Sequence, residues 1–360
     1  MSRFPSAHAI LIEAIRDRAF PGAAYGVLSP GQGLTAEAAG AFTYETGAPP
    51  VKADTIFDIA SISKVLPTTA MAMLLFERHI LDLDEPVCMH LSEFVHAEAA
   101  NSPKRTITPR MLLTHSSGLP AYERLYERYH SASALLNACM QMPLEALPGT
   151  HAMYSDIGFI VLGYLLEKLA GETLDAFACR EIFLPLGMTS TTFRPPAEWK
   201  PLIPPTRLDD PLRHRLIQGE VHDDNCWVLG GVSGHAGAFS NVADTLRFAR
   251  YILDNGTPLF REATVSMFAA RQTQPPGTSR ALGWDTPSAP SSSGHFFSAC
   301  SVGHLGYTGT SLWIDLEKAV AIVLLTNRTF PGAGPDGVSQ KIQQVRPRFH
   351  DAIMRELKVD

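Results

Sequence analysis

The sequence has few cysteines and no spacing of residues that is typical of a bound metal. Five cysteines occur among 360 residues, and they are widely separated: Cys88, Cys139, Cys179, Cys226 and Cys300. An odd number without a CxxC pair does not predict a disulfide framework. The thirteen histidines include no H-x-x-x-H or H-E-x-x-H pair, so a helical metal site is not predicted. We therefore expect no metal and no cofactor.

The chain also lacks a long apolar run. No uninterrupted stretch reaches the roughly 18 residues that a bilayer span needs, and the longest, 71–76 and 319–325, are typical of core segments. Glu13, Arg16 and Asp17 interrupt the first apolar positions at amphipathic spacing, which is unlike a secretory leader. Together with the unpaired cysteines, this predicts a cytoplasmic protein, or a periplasmic one if a leader has been removed.

Positive charge is scarce as well. The chain has 30 Lys and Arg against 36 Asp and Glu, a net charge of −6, with no basic run and no alternation of basic and aromatic residues. Such patterns are typical of nucleic-acid binding, so we do not expect a nucleic-acid partner. With 45% hydrophobic residues, a chain of this length can bury a large core. A small molecule is the expected partner, and the oligomeric state stays open.

One short segment contains a candidate catalytic nucleophile and its base. Ser61 and Lys64 are three residues apart, just ahead of an apolar helical stretch, so a hydroxyl and an amine would lie one helical turn apart. A serine hydroxyl is a weak nucleophile, and a nearby amine can take its proton if burial lowers the pKa of that amine. Unpaired N–H groups at a helix amino terminus would also favour negative charge beside the serine.

Two later segments follow in a significant order. Tyr154 comes after a Pro-Gly turn and precedes a helix-like run, in the sequence Tyr154-Ser155-Asp156. A glycine-spaced strand with the sequence His304-Leu305-Gly306 then leads into a β-hairpin. The order S-x-x-K, Tyr-Ser-Asp and His-Leu-Gly resembles that of the serine β-lactamase and penicillin-binding-protein superfamily, whose signatures are S-x-x-K, Y-x-N and K-T-G.

The resemblance extends over nearly the whole chain. Residues 111–119 and 230–237 resemble recurrent segments of the class C-like branch. That branch includes class C β-lactamases, D-alanyl-D-alanine carboxypeptidases, D-amino-acid peptidases and family VIII carboxylesterases. Membership of the branch therefore implies acyl transfer to a serine, and leaves the substrate open.

Hydrophobic periodicity predicts an α+β fold. Helices are expected over 6–18, 242–253 and 339–357, and strands over 23–28, 34–44, 281–284, 301–307, 311–315 and 319–326. Helical periodicity dominates between residue 61 and about residue 230. The predicted architecture is an antiparallel sheet with flanking terminal helices, β-lactamase/transpeptidase-like by resemblance. Residues 1–60 and 235–360 would form the sheet unit, 61–234 an all-helical insert, and the active site would lie at the interface.

The resemblance also implies roles for individual residues. Lys64 and the Tyr154 phenol would act as one coupled base on the nucleophile Ser61, with the nearby ammonium lowering the pKa of the phenol. The backbone N–H groups of Ser61 and Tyr307 would form the oxyanion hole. Tyr154 would also activate the water for deacylation. Gly306, within the third signature, is expected near the substrate.

Two departures from the signatures bear on the substrate. His304 stands where a lysine is usual, and a mostly neutral imidazole would weaken recognition of a carboxylate. Asp156 replaces asparagine, so an N–H donor for a substrate amide is lost, while a carboxylate could orient Lys64. Tyr122, after residue 119, is a candidate wall of the acyl pocket, with a half-buried helix as the alternative.

These observations favour a serine hydrolase that acts through a covalent acyl-serine, with carboxylesterase activity on short acyl esters as the first hypothesis. A β-lactamase or D-alanyl-D-alanine carboxypeptidase is the enzymatic alternative, and it would need a cation other than a lysine at position 304. The substrate is thus an ester, amide or β-lactam. A ligand sensor or scaffold with the same fold and little turnover is the alternative from another class.

Overall fold

The computed structural model describes residues 2–208, 210–332 and 338–358. In these ranges the strands are Gly22–Ser29 (β1), Gly33–Gly40 (β2), Phe57–Asp58 (β3), Thr192–Phe193 (β4), Ala238–Ser240 (β5), Ser301–Leu305 (β6), Ser311–Asp315 (β7) and Val320–Thr326 (β8). The α-helices are Pro5–Arg16 (α1), Ala70–Glu77 (α2), Pro109–Leu113 (α3), Ala132–Gln141 (α4), Asp156–Ala170 (α5), Leu174–Ala178 (α6), Asp224–Val228 (α7), Val242–Leu253 (α8), Glu262–Ala269 (α9) and Val338–Leu357 (α10). Short 3₁₀ or π turns occupy Ala60–Lys64, Val65–Thr69, Val87–Met89, Ser92–Val95, Pro103–Thr106, Leu125–Glu127, Cys179–Phe183 and Ala197–Leu202.

The main sheet joins the two ends of the chain. Its five strands are antiparallel in the order β2-β1-β8-β7-β6, so β1 pairs on one side with its own hairpin partner and on the other with β8. Every residue of β1, β7 and β8 is buried, because both faces of these strands are covered. The predicted antiparallel sheet with flanking helices is therefore confirmed.

The terminal helices α1 and α10 cover one face of this sheet. Leu11 of α1 and Phe349 and Ile353 of α10 are fully buried in one apolar cluster with strand residues such as Ile322 and Leu324. Helix α8 covers the other face, where Val242 and Leu246 join the larger core. Alternation along β8 explains this division, because successive side chains of a strand point to opposite faces.

Most of the predicted elements are found with small shifts of their ends. Helix α8 has the predicted bounds 242–253, and the hairpin β7–β8 follows the predicted ranges. The predicted strand over 281–284 is wrong: this segment forms only isolated pairings at its edges, Arg280 with Asp285 and Asp285 with Gly303. Gly283, with a φ of +83°, is incompatible with an extended strand at that point.

The helical region lies between β3 and β5. Its central helix α5 is buried over most of its length, with Phe159, Val161 and Leu162 inaccessible to solvent. Ser155 caps its amino terminus by accepting a hydrogen bond from the Gly158 N–H at 2.9 Å, and Gly171 ends it in the left-handed conformation. This region also contributes β4 to a small sheet of order β3-β5-β4. No helix of the described ranges is long and apolar enough to cross a membrane.

Candidate active site

Ser61 lies on a tight turn directly after β3. The residue before it, Ala60, has a φ of +48°, an unusual conformation for a non-glycine residue. Asp58 holds this conformation, because its Oδ1 accepts a hydrogen bond from the Ala60 N–H at 2.8 Å. The first hydrogen bond of the turn runs from the Ile62 N–H to the Ile59 carbonyl, so the turn does not use the N–H of Ser61.

The element that carries Ser61 differs from the predicted α-helix. Residues Ala60–Lys64 form a 3₁₀ turn, Val65–Thr69 a π turn, and the regular helix α2 begins only at Ala70. The spacing of three residues still brings the two side chains together, because Lys64 Nζ lies 3.0 Å from Ser61 Oγ. The predicted juxtaposition is therefore present on a tighter backbone.

Lys64 is fully buried and uses all three of its N–H groups. Nζ donates to Ser61 Oγ at 3.0 Å, to Asp156 Oδ1 at 2.6 Å and to the His235 carbonyl at 3.0 Å. Three acceptors around one nitrogen match an ammonium group, which has three donors and no acceptor. The arrangement thus favours the charged form of the lysine.

Tyr154 lies in the segment just before α5 and contacts Ser61. Its hydroxyl donates to Ser61 Oγ at 2.8 Å. The segment is fixed by His115, whose Nδ1 accepts the Ser155 N–H at 3.1 Å and whose ring lies 4.7 Å from the Tyr154 ring, centroid to centroid. Ser61 Oγ therefore receives hydrogen bonds from both Lys64 and Tyr154.

The pKa values of Lys64 and Tyr154 differ from the expected ones. Burial has the largest single effect on Lys64 and lowers its pKa, but Asp156 and Tyr154 together outweigh it, so the pKa lies above its usual range. Burial raises the pKa of Tyr154 to about 12, and Asp156 adds to this, against the opposite effect of the Lys64 ammonium. The expected lowering of both pKa values is wrong, because the depth of burial and the close contact of Asp156 with Lys64 depend on the fold and cannot be read from the motif spacing.

The turn after β6 lies against the Ser61 turn. Thr308 Oγ1 donates to the Asp58 carbonyl at 2.8 Å, and Thr310 Oγ1 donates to the Ile59 carbonyl at 3.1 Å. The contact requires glycine at position 306, where a Cβ would lie 2.6 Å from the Ile59 oxygen. The Tyr307 N–H has no acceptor among the described residues. The two backbone groups expected to form the oxyanion hole, Ser61 and Tyr307, thus lie on adjoining turns and remain free.

His304 has a different position from the expected one. It is 3% exposed, and its ring packs against the Tyr154 ring at a centroid distance of 6.0 Å. Burial and the nearby Lys64 charge hold its pKa well below the usual range. The imidazole is therefore neutral, as expected, but its burial against Tyr154 does not support direct contact with a substrate.

Ser61 and Tyr154 open into a cavity of about 860 Å³. Asp156, Gly306, Tyr307 and Tyr122 line it together with them, so the candidate substrate-binding residues other than His304 reach the same space. Tyr122 and Tyr307 are 42% and 54% exposed, as expected for side chains at the entrance. No cluster of three or more potential metal-binding side chains occurs in the described part of the chain.

Several lining residues had no sequence signal. The cavity wall includes four arginines and four aspartates: Arg124, Arg207, Arg328, Arg346, Asp58, Asp156, Asp223 and Asp224. Of these, only Asp156 belongs to a recognisable motif. The others come from distant parts of the chain, and only folding brings them together.

A comparison with known families and proteins gives a consistent result. The family profile described as Beta-lactamase matches residues 8–345. A putative D-alanyl-D-alanine carboxypeptidase of Escherichia coli O157:H7 is 32% identical over 349 residues, covering 87% of this chain and 79% of that protein. An N-acetylmuramyl-L-alanine amidase of Bacillus subtilis (strain 168) is 32% identical over 306 residues, covering 77% of this chain and 69% of that protein.

Solved structures share the same architecture. A class C β-lactamase from Rhodobacter sphaeroides aligns with a TM-score of 0.74 at 22% identity, covering 98% of this chain and 99% of that one. At this identity the likeness establishes the fold and carries no information on the substrate.

Proposed function

Since the chain belongs to the beta-lactamase family, we propose that this serine hydrolase cleaves an amide bond in small peptides that carry a carboxylate, through an ester on Ser61. One observation carries the proposed chemistry: Ser61 Oγ is held between Lys64 Nζ and the Tyr154 hydroxyl at the wall of a large cavity. Nucleophile, proton-transfer group and free N–H donors are the parts that acyl transfer needs.

In the first step Ser61 Oγ attacks the substrate carbonyl, and a C–O bond forms as the carbonyl oxygen gains negative charge. The N–H groups of Ser61 and Tyr307 stabilise that charge. Tyr154 accepts the Ser61 proton and gives its own proton to the amide nitrogen as the C–N bond breaks and the amine leaves, so a neutral phenol serves both roles. This relay needs no tyrosinate, which a pKa of about 12 would make scarce near neutral pH.

Lys64 stabilises this relay by its charge. The ammonium lies 4.9 Å from the centre of the Tyr154 ring and favours the negative character that the phenol oxygen gains during transfer. Asp156 keeps Lys64 protonated. In deacylation a water molecule gives its proton to Tyr154, which returns a proton to Ser61 Oγ as the ester bond breaks and a free acid leaves.

The charged wall of the cavity favours a peptide over a small apolar ester. Four arginines and four aspartates line the same space as Ser61, whereas a short acyl chain would be expected to need an apolar pocket. The carboxypeptidase and amidase names of the two relatives point in the same direction. The absence of an asparagine amide at position 156 argues less strongly against an amide substrate than expected. The Asp156 carboxylate accepts a hydrogen bond from Lys64, so this position serves the lysine.

Hydrolysis of short esters is the second candidate. It is favoured by the burial of the neutral His304, because β6 then offers no cation to a substrate carboxylate. The two candidates differ in the substrate that gives the higher kcat/KM.

The test compares an N-acyl-D-alanyl-D-alanine peptide, an N-acetylmuramyl peptide and p-nitrophenyl butyrate by kcat/KM. We expect turnover of at least one peptide, abolished in Ser61→Ala and retained in Ser266→Ala, a substitution at an exposed serine on α9. Efficient ester turnover without any peptide cleavage would instead establish the second candidate. Peptide cleavage that persists in Ser61→Ala would reject the mechanism.

A further inference from the structure

Two arginines of the cavity wall are buried beside the Tyr307 turn. Arg346, on α10, is 5% exposed, and its Nη2 donates to the Gly306 and Thr310 carbonyls at 2.7 and 2.8 Å. Its Nε is buried without a partner among the described residues. An unsatisfied buried donor is unfavourable, so the presence of the unpaired Arg346 Nε calls for an explanation.

Arg328 follows β8 and lies next to the same turn. It is 5% exposed, its Nε donates to the Tyr307 carbonyl at 2.6 Å, and its guanidinium carbon lies 4.6 Å from the centre of the Tyr307 ring. Both arginines thus hold the backbone that carries the Tyr307 N–H. Hydrogen bonds and stacking leave other guanidinium N–H groups available to a ligand.

Neither arginine forms an ion pair with a carboxylate of the described residues, whereas each aspartate of the cavity already has partners. Asp58 accepts the N–H groups of Ala60 and His222. Asp156 is paired with Lys64.

The two remaining aspartates, Asp223 and Asp224, also have hydrogen-bond or ion-pair partners. Asp223 accepts from the His235 ring and the Cys226 N–H. Asp224 pairs with Arg213 and Arg207. Arg328 and Arg346 are therefore buried cations of the cavity wall that have no carboxylate partner among the described residues, and both lie next to the turn that carries Tyr307.

Two adjacent guanidinium groups in a buried site repel each other. Burial and, to a lesser extent, the charge of Arg328 lower the pKa of Arg346 to about 9. An anion between them would offset both effects, because an opposite charge favours the charged form. Arginine also presents a planar fork of donors that matches a carboxylate.

We propose that Arg328 and Arg346 form the subsite for the substrate carboxylate, in place of a cation on β6. The inference rests on the proposed function and adds the residues that select the substrate. Because the pair supports the turn that carries the Tyr307 N–H, the carboxylate would bind close to the scissile carbonyl, as it does in a terminal amino acid. The preferred leaving group is then a terminal amino or hydroxy acid.

The experiment uses two thioesters that differ only in this charge, the N-acetyl-D-alanyl thioesters of mercaptoacetate and of mercaptoacetamide. Thioesters need acyl transfer to Ser61 but no cleavage of an amide. Products are separated by chromatography, because the exposed Cys179 and Cys300 would react with a thiol reagent. The readout is the ratio of kcat/KM for the acid to kcat/KM for the amide.

The wild-type ratio should exceed one and should fall at least tenfold in Arg328→Gln and in Arg346→Gln. Arg346→Lys keeps the positive charge but loses the planar set of guanidinium donors. It should retain part of the preference for the acid thioester, even if the substitution lowers the stability of the fold. Arg348→Gln is the matched control, because Arg348 lies on the same helix, half-exposed, and pairs with Glu13. Its ratio should equal that of the wild type.

A ratio that is unchanged in both Gln variants would overturn the inference. An equal fall of kcat/KM for acid and amide would also overturn it, since the arginines would then only support the oxyanion turn. A wild-type preference for the acid thioester without any peptide cleavage would leave the subsite standing and reject the proposed peptidase function. The two failures are therefore distinguishable.

Discussion

At the scale of single residues, the protons around Ser61 determine which group can act as a base. Lys64 has three acceptors and Tyr154 donates to Ser61, so the resting site holds an ammonium and a neutral phenol. A lysine that accepts the serine proton directly would have to lose its own proton first. The Asp156 carboxylate opposes this by raising the pKa of Lys64.

Asp156→Asn tests this charge assignment. An asparagine oxygen can still accept from Lys64 Nζ, but it removes the negative charge, and burial alone then lowers the pKa of Lys64. The raised pKa keeps Lys64 charged to high pH, so the alkaline limb of kcat/KM should move to lower pH in the variant. The measurement is a pH profile with p-nitrophenyl butyrate, with Asp54→Asn at an exposed aspartate as control.

An alkaline limb that stays in place in Asp156→Asn would show that Asp156 does not determine the charge of Lys64. A limb that moves equally in Asp54→Asn would point to a general effect of net charge. Since kcat/KM reports pKa values of the free enzyme, neither outcome depends on the substrate chosen.

The sequence predicts the members of this group better than their ionisation. Ser61 and Lys64 are recognisable because three residues of spacing determine their contact, and Tyr154 because it lies in a short motif at a helix start. Their pKa values depend on burial and on contacts across the chain, which spacing does not encode. Arg328 and Arg346 lack any local signal, because they meet the Gly306 turn only through the packing of β8 and α10.

At the scale of elements, the site depends on the contact between two turns. The Ser61 turn follows β3, and the 306–310 turn follows β6; Thr308 and Thr310 bridge them through the Asp58 and Ile59 carbonyls. The hairpin periodicity predicts β7 and β8 well, whereas the irregular segment at 281–284 is misread as a strand. Turns and irregular segments follow tertiary contacts, which leave little trace in hydrophobic periodicity.

Gly306→Ala tests the contact between the turns. The new Cβ would lie 2.0 Å from Thr310 Oγ1 and 2.6 Å from the Ile59 oxygen, so the turn that carries the Tyr307 N–H must move away. Loss of one oxyanion donor should lower kcat by about 10²- to 10³-fold. The measurement is kcat on the ester together with the melting temperature.

Gly332→Ala is a matched control, because a Cβ at Gly332 meets no described atom within 4 Å. It should keep kcat near the wild-type value. A wild-type kcat in Gly306→Ala would contradict the assignment of the Tyr307 N–H to the oxyanion hole.

At the scale of the whole molecule, one apolar core joins the proposed sheet and helical units. The larger cluster includes Leu28 and Leu312 from the sheet together with Ile62, Phe159 and Leu162 from the helical range. Among the candidate site residues, Lys64 and Asp156 come from the helical range and Tyr307 from the sheet range, so we propose that the active site lies where these parts meet. The division into units at residues 60 and 235 stays a prediction, and because they share one core we propose that the units do not unfold separately.

This predicts a single cooperative unfolding transition. Differential scanning calorimetry should give equal van't Hoff and calorimetric enthalpies, because removal of either unit exposes the shared core. Two resolved transitions would contradict the prediction. The denaturant midpoints from fluorescence and from circular dichroism should likewise coincide.

In the proposed mechanism every turnover passes through an ester on Ser61. The most direct measurement is intact-protein mass spectrometry of acid-quenched reactions with p-nitrophenyl butyrate and with a penicillin, followed by peptide mapping. We expect an added acyl mass on the peptide that contains Ser61 and none in Ser61→Ala. Turnover without any adduct on that peptide, or an adduct that persists in Ser61→Ala, would contradict it.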